Sequence, residues 1–256
     1  MTSISPSNAP LVQFLLRRAD DALILGHRLS EWVGHAPMLE EEMALGNMGL
    51  DLIGQARSLY QYAGEVEGAG HSEDDFAYLR RESAYRNVLL VEQPNGDFAE
   101  TMIRQFFYAA FADPYWRAMK ASSDPTIAAI AAKSEKEMTY HLRHSAEWVV
   151  RLGDSTAEAR RRIEAAISRF WPFTGELFSS DELDASVIAT GAAIDPDTIR
   201  AEWLATVQSV FVRAKLTVPT STWMHRGGRS GQHSEHFGHL LSELQYMQRA
   251  VPGAVW

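Results

Sequence analysis

The sequence predicts an all-α protein: a ferritin-like four-helix bundle of two antiparallel hairpins joined by a long crossover, with additional C-terminal helices. Three observations predict it. Apolar residues recur at helical spacing along most of the chain. Asp or Ser caps, several followed by Pro or by an acid three residues on, open these runs. Alternating strand patterns with hairpin turns are absent.

The elements follow in order. Leu11, Val12, Leu15, Ala19, Leu23 and Leu29 place a helix over 11–33, which Gly34-His35-Ala36 breaks. Pro37 suits the first turn of the next helix, and Glu40, Glu41 and Glu42 sit where the helix dipole favours negative charge. That helix, 37–67, is apolar nearly all round, with Met43, Leu45, Met48, Leu50, Leu52, Ile53 and Leu59, so it should be central or serve an interface. Gly68-Ala69-Gly70 ends it. Ser72 with Asp75 opens a more polar helix to about 91, and Pro94-Asn95-Gly96 is a turn.

Asp97 with Glu100 opens a helix to about 121, in which Pro114 should cause a kink. Asp124-Pro125 caps and starts the helix 124–153. Ser155 with Glu158 opens one that Pro172 interrupts. A short helix follows Asp181, Asp195-Pro196 opens another to about 218, and the last spans roughly 232–250 before Pro252-Gly253. The helices 11–33 and 37–67, and the helices 97–121 and 124–153, have short connections and should form hairpins. Residues 68–96 are long enough to cross between them, which is the ferritin-like arrangement. The chain reads as one domain, 1–256, with a core bundle over about 11–153 and accessory helices over about 155–250.

Composition bounds the function. A net charge of −9 argues against a broad phosphate-backbone footprint, although a local basic pocket stays open. The absence of cysteine excludes disulfides, thiolate metal sites and cysteine nucleophiles. The start, Met1-Thr2-Ser3-Ile4-Ser5-Pro6, shows no secretory signal, and no apolar run suits a membrane span, so a cytoplasmic protein is expected.

A ferritin-like bundle raises the question of a two-metal site. Such a site needs a Glu from each of two helices and a Glu-x-x-His pair from each of the other two. On the second helix the polar line is Asn47, Asp51 and Gln55, and Asp51 is followed at three residues by Gly54. On the fourth core helix Glu137 is followed at three residues by Tyr140; His141 lies one further, and Met138 stands three before His141. Asp20 and Asp21 are possible single carboxylates on the first helix, and Gln105 and Asp113 are the candidates on the third. The site is therefore degenerate, and no metal and no catalytic residue are assigned to this chain. Asp51, Glu137, His141 and His144 can instead form a paired polar cluster, with Lys133 or Arg57, since buried charges need partners, or simply face outward.

Two further groups stand out. His233, His236 and His239, with Glu235 and Glu243, invite a metal reading, but as helical residues the three imidazoles fan over about 120° of surface. Arg226-Gly227-Gly228-Arg229-Ser230-Gly231 could hold an anion through backbone N–H groups, with Arg226 and Arg229 as the basic candidates, or simply form a flexible helix entry.

Several stretches are similar to a known family: Glu31-Trp32-Val33-Gly34-His35-Ala36-Pro37, Gly49-Leu50-Asp51-Leu52-Ile53-Gly54-Gln55-Ala56-Arg57, Leu90-Val91-Glu92-Gln93-Pro94-Asn95-Gly96-Asp97-Phe98, Lys136-Glu137 with Tyr140-His141-Leu142-Arg143, His233-Ser234-Glu235-His236, and Glu243-Leu244-Gln245-Tyr246-Met247-Gln248-Arg249. From about residue 11 to Trp256 the chain resembles the PaaC family, the non-catalytic subunits of phenylacetyl-CoA 1,2-epoxidase (ring-oxygenase) complexes of aerobic phenylacetate catabolism. The resemblance implies a ferritin-like subunit without iron, working beside a homologous catalytic diiron subunit (PaaA-like). It also implies a small bridging subunit (PaaB-like) and a flavin and iron–sulfur reductase that uses NADPH (PaaE-like). Two other readings are an autonomous metal-carboxylate oxidase or ferroxidase using Asp20 or Asp21, Asp51, Glu137 and His141, and a CoA-ester binding module using Arg226 and Arg229. The apolar second helix also predicts a homodimer or larger oligomer for the chain alone.

Overall fold

The computed structural model describes residues 3–254, and among them there are ten α-helices, five short 3-10 turns and no strand. The sequence expectations that reach Met1, Thr2 and Trp256 lie outside the described residues. The fold is a ferritin-like helical bundle with extra helices. Helix α1 (Pro10–Ser30) packs along α2 (Leu39–Glu67), and α5 (Phe98–Met119) packs along α6 (Pro125–Gly153). The crossover between these hairpins carries α3 (Glu73–Tyr78) and α4 (Leu89–Glu92). Beyond it come α7 (Ala157–Phe170), α8 (Glu182–Ala189), α9 (Arg200–Arg213) and α10 (Glu235–Ala250).

Local chemistry sets many boundaries. Gly68 ends α2 with φ +67°, a left-handed conformation that glycine adopts without a Cβ penalty. Ser72 and Asp75 form a reciprocal capping box on α3. Asp97 caps α5 by accepting from the Glu100 backbone N–H. Asp124 accepts from the N–H groups of Thr126 and Ile127, at 2.9 and 3.1 Å, and Pro125 starts α6. Its second carboxylate oxygen takes the Tyr62 hydroxyl at 2.5 Å, so one side chain both caps α6 and ties it to α2. Burial and that bond push the Tyr62 pKa up to about 12. Replacing Asp124 with alanine should cost about 1–2 kcal/mol, read as a lower thermal midpoint with unchanged helix content; no shift would mean solvent caps α6 equally well.

Several boundaries differ from expectation. The helix expected from Ser72 to about 91 is broken after Tyr78, because the chain turns to bury Arg80 and Tyr85. The α7 cap is Thr156, which accepts from Ala159 N–H, in place of Ser155. Asp195-Pro196 opens a 3-10 turn that leads into α9. Helix α10 starts at Glu235, so His233 precedes it. Helix α2 starts at Leu39, two residues after Pro37. Pro114 lies inside α5 without ending it.

The most buried helix is α5. Almost every residue of α5 from Ala99 to Trp116 is buried, because α6 covers one side and α7 and α9 cover the other. Helix α2 packs mainly on α1, with α6 and α3 also beside it, and leaves Leu39, Met43 and Leu50 exposed at 69%, 60% and 67%. Of the two readings for an apolar α2, the exposed face suits an interface.

Candidate functional site

The polar line inside the bundle runs along the seam between α2 and α6. His141 is fully buried; its Nε2 lies 3.2 Å from an Asp51 oxygen, and its Nδ1 lies 3.1 Å from the Gln105 amide nitrogen on α5. Gln55 donates to Glu137 at 2.9 Å, and Lys133 lies 3.6 Å from the other Glu137 oxygen. His144 lies 2.9 Å from Glu41, and burial lowers its pKa against the pull of that carboxylate. Of Asp51, Glu137, His141 and His144, then, only Asp51 and His141 meet each other, while Glu137 pairs with Gln55 and Lys133 and His144 with Glu41. Lys133 is the cationic partner, while Arg57 turns away to Glu73 at 3.1 Å. Asp113 bonds Thr139 and Arg117.

The register inside this seam differs from the sequence expectation. Tyr140 is 38% exposed and the Asp51 side chain 36% exposed, and Gly54 is only half-buried. The positions three apart that face inward are Leu52 with Gln55 and Met138 with His141. Asp51/Gly54 and Glu137/Tyr140 each sit one residue around the helix, about 100° away. Among the described residues no three His, Asp or Glu side chains converge as a ligand set. The donors that do face inward, two carboxamides and one imidazole, do not fit a diiron centre, which wants anionic carboxylates on both metals.

The other acidic candidates serve the crossover. Asp20 is fully buried and takes both terminal nitrogens of Arg80, the Tyr60 hydroxyl at 2.5 Å and the Arg86 backbone N–H at 2.7 Å. Burial alone would lower the Arg80 pKa, but the Asp20 carboxylate outweighs it and leaves it raised. Asp21 takes the Val88 backbone N–H at 2.8 Å and the Arg229 guanidinium at 2.7 Å. Arg17, one turn earlier on the same helix, reaches Asp184 at 2.6 Å and Asp181 at 2.5 Å at the start of α8. One stretch of α1 therefore ties down the crossover, α8 and the loop before α10.

That glycine-rich loop is an anion cradle filled by the protein's own carboxylates. Glu176 accepts from the backbone N–H groups of Gly227 and Arg229, both at 3.1 Å, and from Leu89 N–H at 2.9 Å. The Arg229 side chain is 10% exposed and spends its guanidinium on Asp21 and on the carbonyls of Arg17 and Arg86. Arg226 is exposed. Gly228 packs so closely that a Cβ there would run into the Asn87 carbonyl, so a side chain would push the loop off the crossover.

The three histidines do not meet. His233 is buried against Glu92 at 2.7 Å and the Tyr85 carbonyl at 3.2 Å, while Glu92 also takes Ser234 N–H and Asn87. His239, Glu235 and Glu243 are exposed, and His236 is half-buried. The surface fan expected of the three assumed that His233 was helical, and it is not. Glu92, Glu176 and Arg80 carry no local signal of their roles in the sequence; only their burial marks them.

Comparison with known proteins adds two findings. The family described as "Phenylacetic acid catabolic protein" matches residues 2–256. The chain is 46% identical over 246 residues to the C subunit of 1,2-phenylacetyl-CoA epoxidase from Escherichia coli (strain K12), covering 96% of this chain and 99% of that relative.

Proposed function

The chain belongs to the phenylacetic acid catabolic protein family, and we propose that it is the structural, non-metal-binding subunit of a multicomponent diiron oxygenase that epoxidises the ring of phenylacetyl-CoA. The observation that carries this reading is the inward face of the α2–α6 seam, where Leu52, Gln55, Met138 and His141 stand in place of two Glu-x-x-His pairs. In this reading a homologous partner (PaaA-like) holds the metals, with a bridging subunit (PaaB-like) and a reductase (PaaE-like) supplying electrons from NADPH. The chain acts as one domain in the cytoplasm. Among the described residues no helix is long and apolar enough to cross a membrane.

The exposed face of α2 supports a subunit role. Met43 and Leu50, with Val33 from the turn before the helix, line a shallow hollow at Gly46, and the exposed Leu39 stands one turn before Met43. An apolar strip on an exposed helix favours burial against a partner.

The test is co-expression with the homologous subunit from the same genome. Iron should follow the partner by elemental analysis, and O₂-dependent epoxidation should need both chains. Stoichiometric iron on this chain alone would overturn the reading. Met43→Glu with Leu50→Glu should abolish co-purification while the circular dichroism of the lone chain stays unchanged, since both residues face solvent there. Undiminished co-purification would move the interface elsewhere.

A further inference from the structure

The two hydrogen-bonded rungs of the seam are copies of one another. Asp51 and Gln55 are one turn apart on α2, and Glu137 and His141 are one turn apart on α6. Asp51 meets His141, and Gln55 meets Glu137. Each acid thus contacts the residue four after the acid of the other helix, as antiparallel helices related by a two-fold axis require. The same shift along the chain carries Asp51 onto Glu137, Gln55 onto His141 and Leu52 onto Met138.

Leu52 and Met138 lie between the rungs and are fully buried. Inward pairs three apart on two such helices are the pattern of a two-metal bundle, with one more ligand from each remaining helix. Helix α5 supplies Gln105, fully buried against His141. Between its contacts at Asp20–Tyr60 and at Gly26–Leu52, helix α1 carries the apolar Ala22, Leu23, Ile24 and Leu25 and one acid, Asp21, whose oxygens are taken by Val88 N–H and Arg229. Gln55 and Gln105 each keep a buried carboxamide oxygen with no partner in the protein. An apolar core has no use for two such acceptors, because burying them unsatisfied costs stability.

We infer that the bundle interior is an erased two-metal centre whose ligand positions are Leu52, Gln55, Gln105, Met138 and His141, and that it keeps the geometry to take a divalent cation once acids and imidazole return there. This deepens the reading above, in which the native chain carries no metal. The neighbouring positions Gly54 and Tyr140, which would complete Asp-x-x-His and Glu-x-x-His in the letters of the sequence, lie on the wrong face.

The experiment compares the two registers by cobalt(II) titration, followed by visible absorption, with circular dichroism as the check on fold. The inward variant carries Leu52→Glu, Gln55→His, Gln105→Glu and Met138→Glu beside native His141. The outward variant carries Gly54→His and Tyr140→His beside native Asp51 and Glu137. A near-isosteric double variant, Gln55→His with Gln105→Glu, offers one ligand from each of α2, α5 and α6 and decides the matter if the fourfold variant does not fold. The inward and double variants should gain saturable cobalt binding, more than about tenfold tighter than the native chain, and the outward variant should not. A double variant that binds no tighter than the native chain, or that no longer folds, overturns the inference, as does tight binding by the outward variant. Stoichiometric iron in the native chain would instead sink the functional reading, without touching the comparison of registers.

Discussion

Asp20→Ala should destabilise the protein by about 3–5 kcal/mol, because it leaves Arg80 charged, fully buried and without its carboxylate. The loss is large for three reasons. Arg80 has only the carbonyls of Phe76 and Ala84 and the Tyr60 hydroxyl left to accept from it. The Arg86 backbone N–H loses its acceptor too, and so does Tyr60. The Tyr85 ring under Arg80, with the guanidinium carbon 4.0 Å from its centre, cannot replace a carboxylate. The measurement is the urea midpoint of the variant against the native chain. Replacing both partners, Asp20→Leu with Arg80→Met, should recover part of the loss, since a buried pair removed together costs far less than one partner removed alone. A single variant within about 1 kcal/mol of native would show that the crossover does not depend on this pair.

Trp203→Ala should cost about 3–5 kcal/mol and should do so within a single unfolding transition. Trp203 lies on α9, buried among Phe107 of α5, Trp171 and Phe178, with ring centres 5.2 to 6.0 Å apart. Its indole N–H donates to the Phe107 carbonyl at 3.1 Å. Truncation removes the centre of the aromatic layer that covers the back of α5 and leaves a cavity too large to collapse. If the accessory helices form one domain with the bundle, the far-UV and tryptophan-fluorescence midpoints fall together. An early separate transition of the accessory helices would split the chain into two units.

Much of the fold was legible because its signals are local. Asp97, Asp124-Pro125 and Asp181 announce helix starts through side-chain bonds to the first turn, and these need no tertiary context. The length of 68–96 against the short connections at 34–36 and 122–124 was enough for two hairpins and a crossover. The α3 boundary was illegible because burial of Arg80 and Tyr85 overrides helix propensity there.

The candidate site was half legible. The absence of Glu-x-x-His is a property of the letters, and so the sequence alone determined that this bundle lacks a familiar diiron ligand set. Which residues face inward is a matter of helix rotation, and one residue of rotation exchanges Asp51/Gly54 for Leu52/Gln55. Periodicity could not choose, because α2 is apolar on most sides. The packing of α2 on α1 and α6 chose, by burying Leu52, Gln55, Met138 and His141. Likewise a glycine-rich basic loop is written in the sequence, but only tertiary structure brings Glu176 and Asp21 to it, from distant points of the chain. Local bonds act over one helical turn and can be read in order; partners far apart in sequence are decided only when the helices pack.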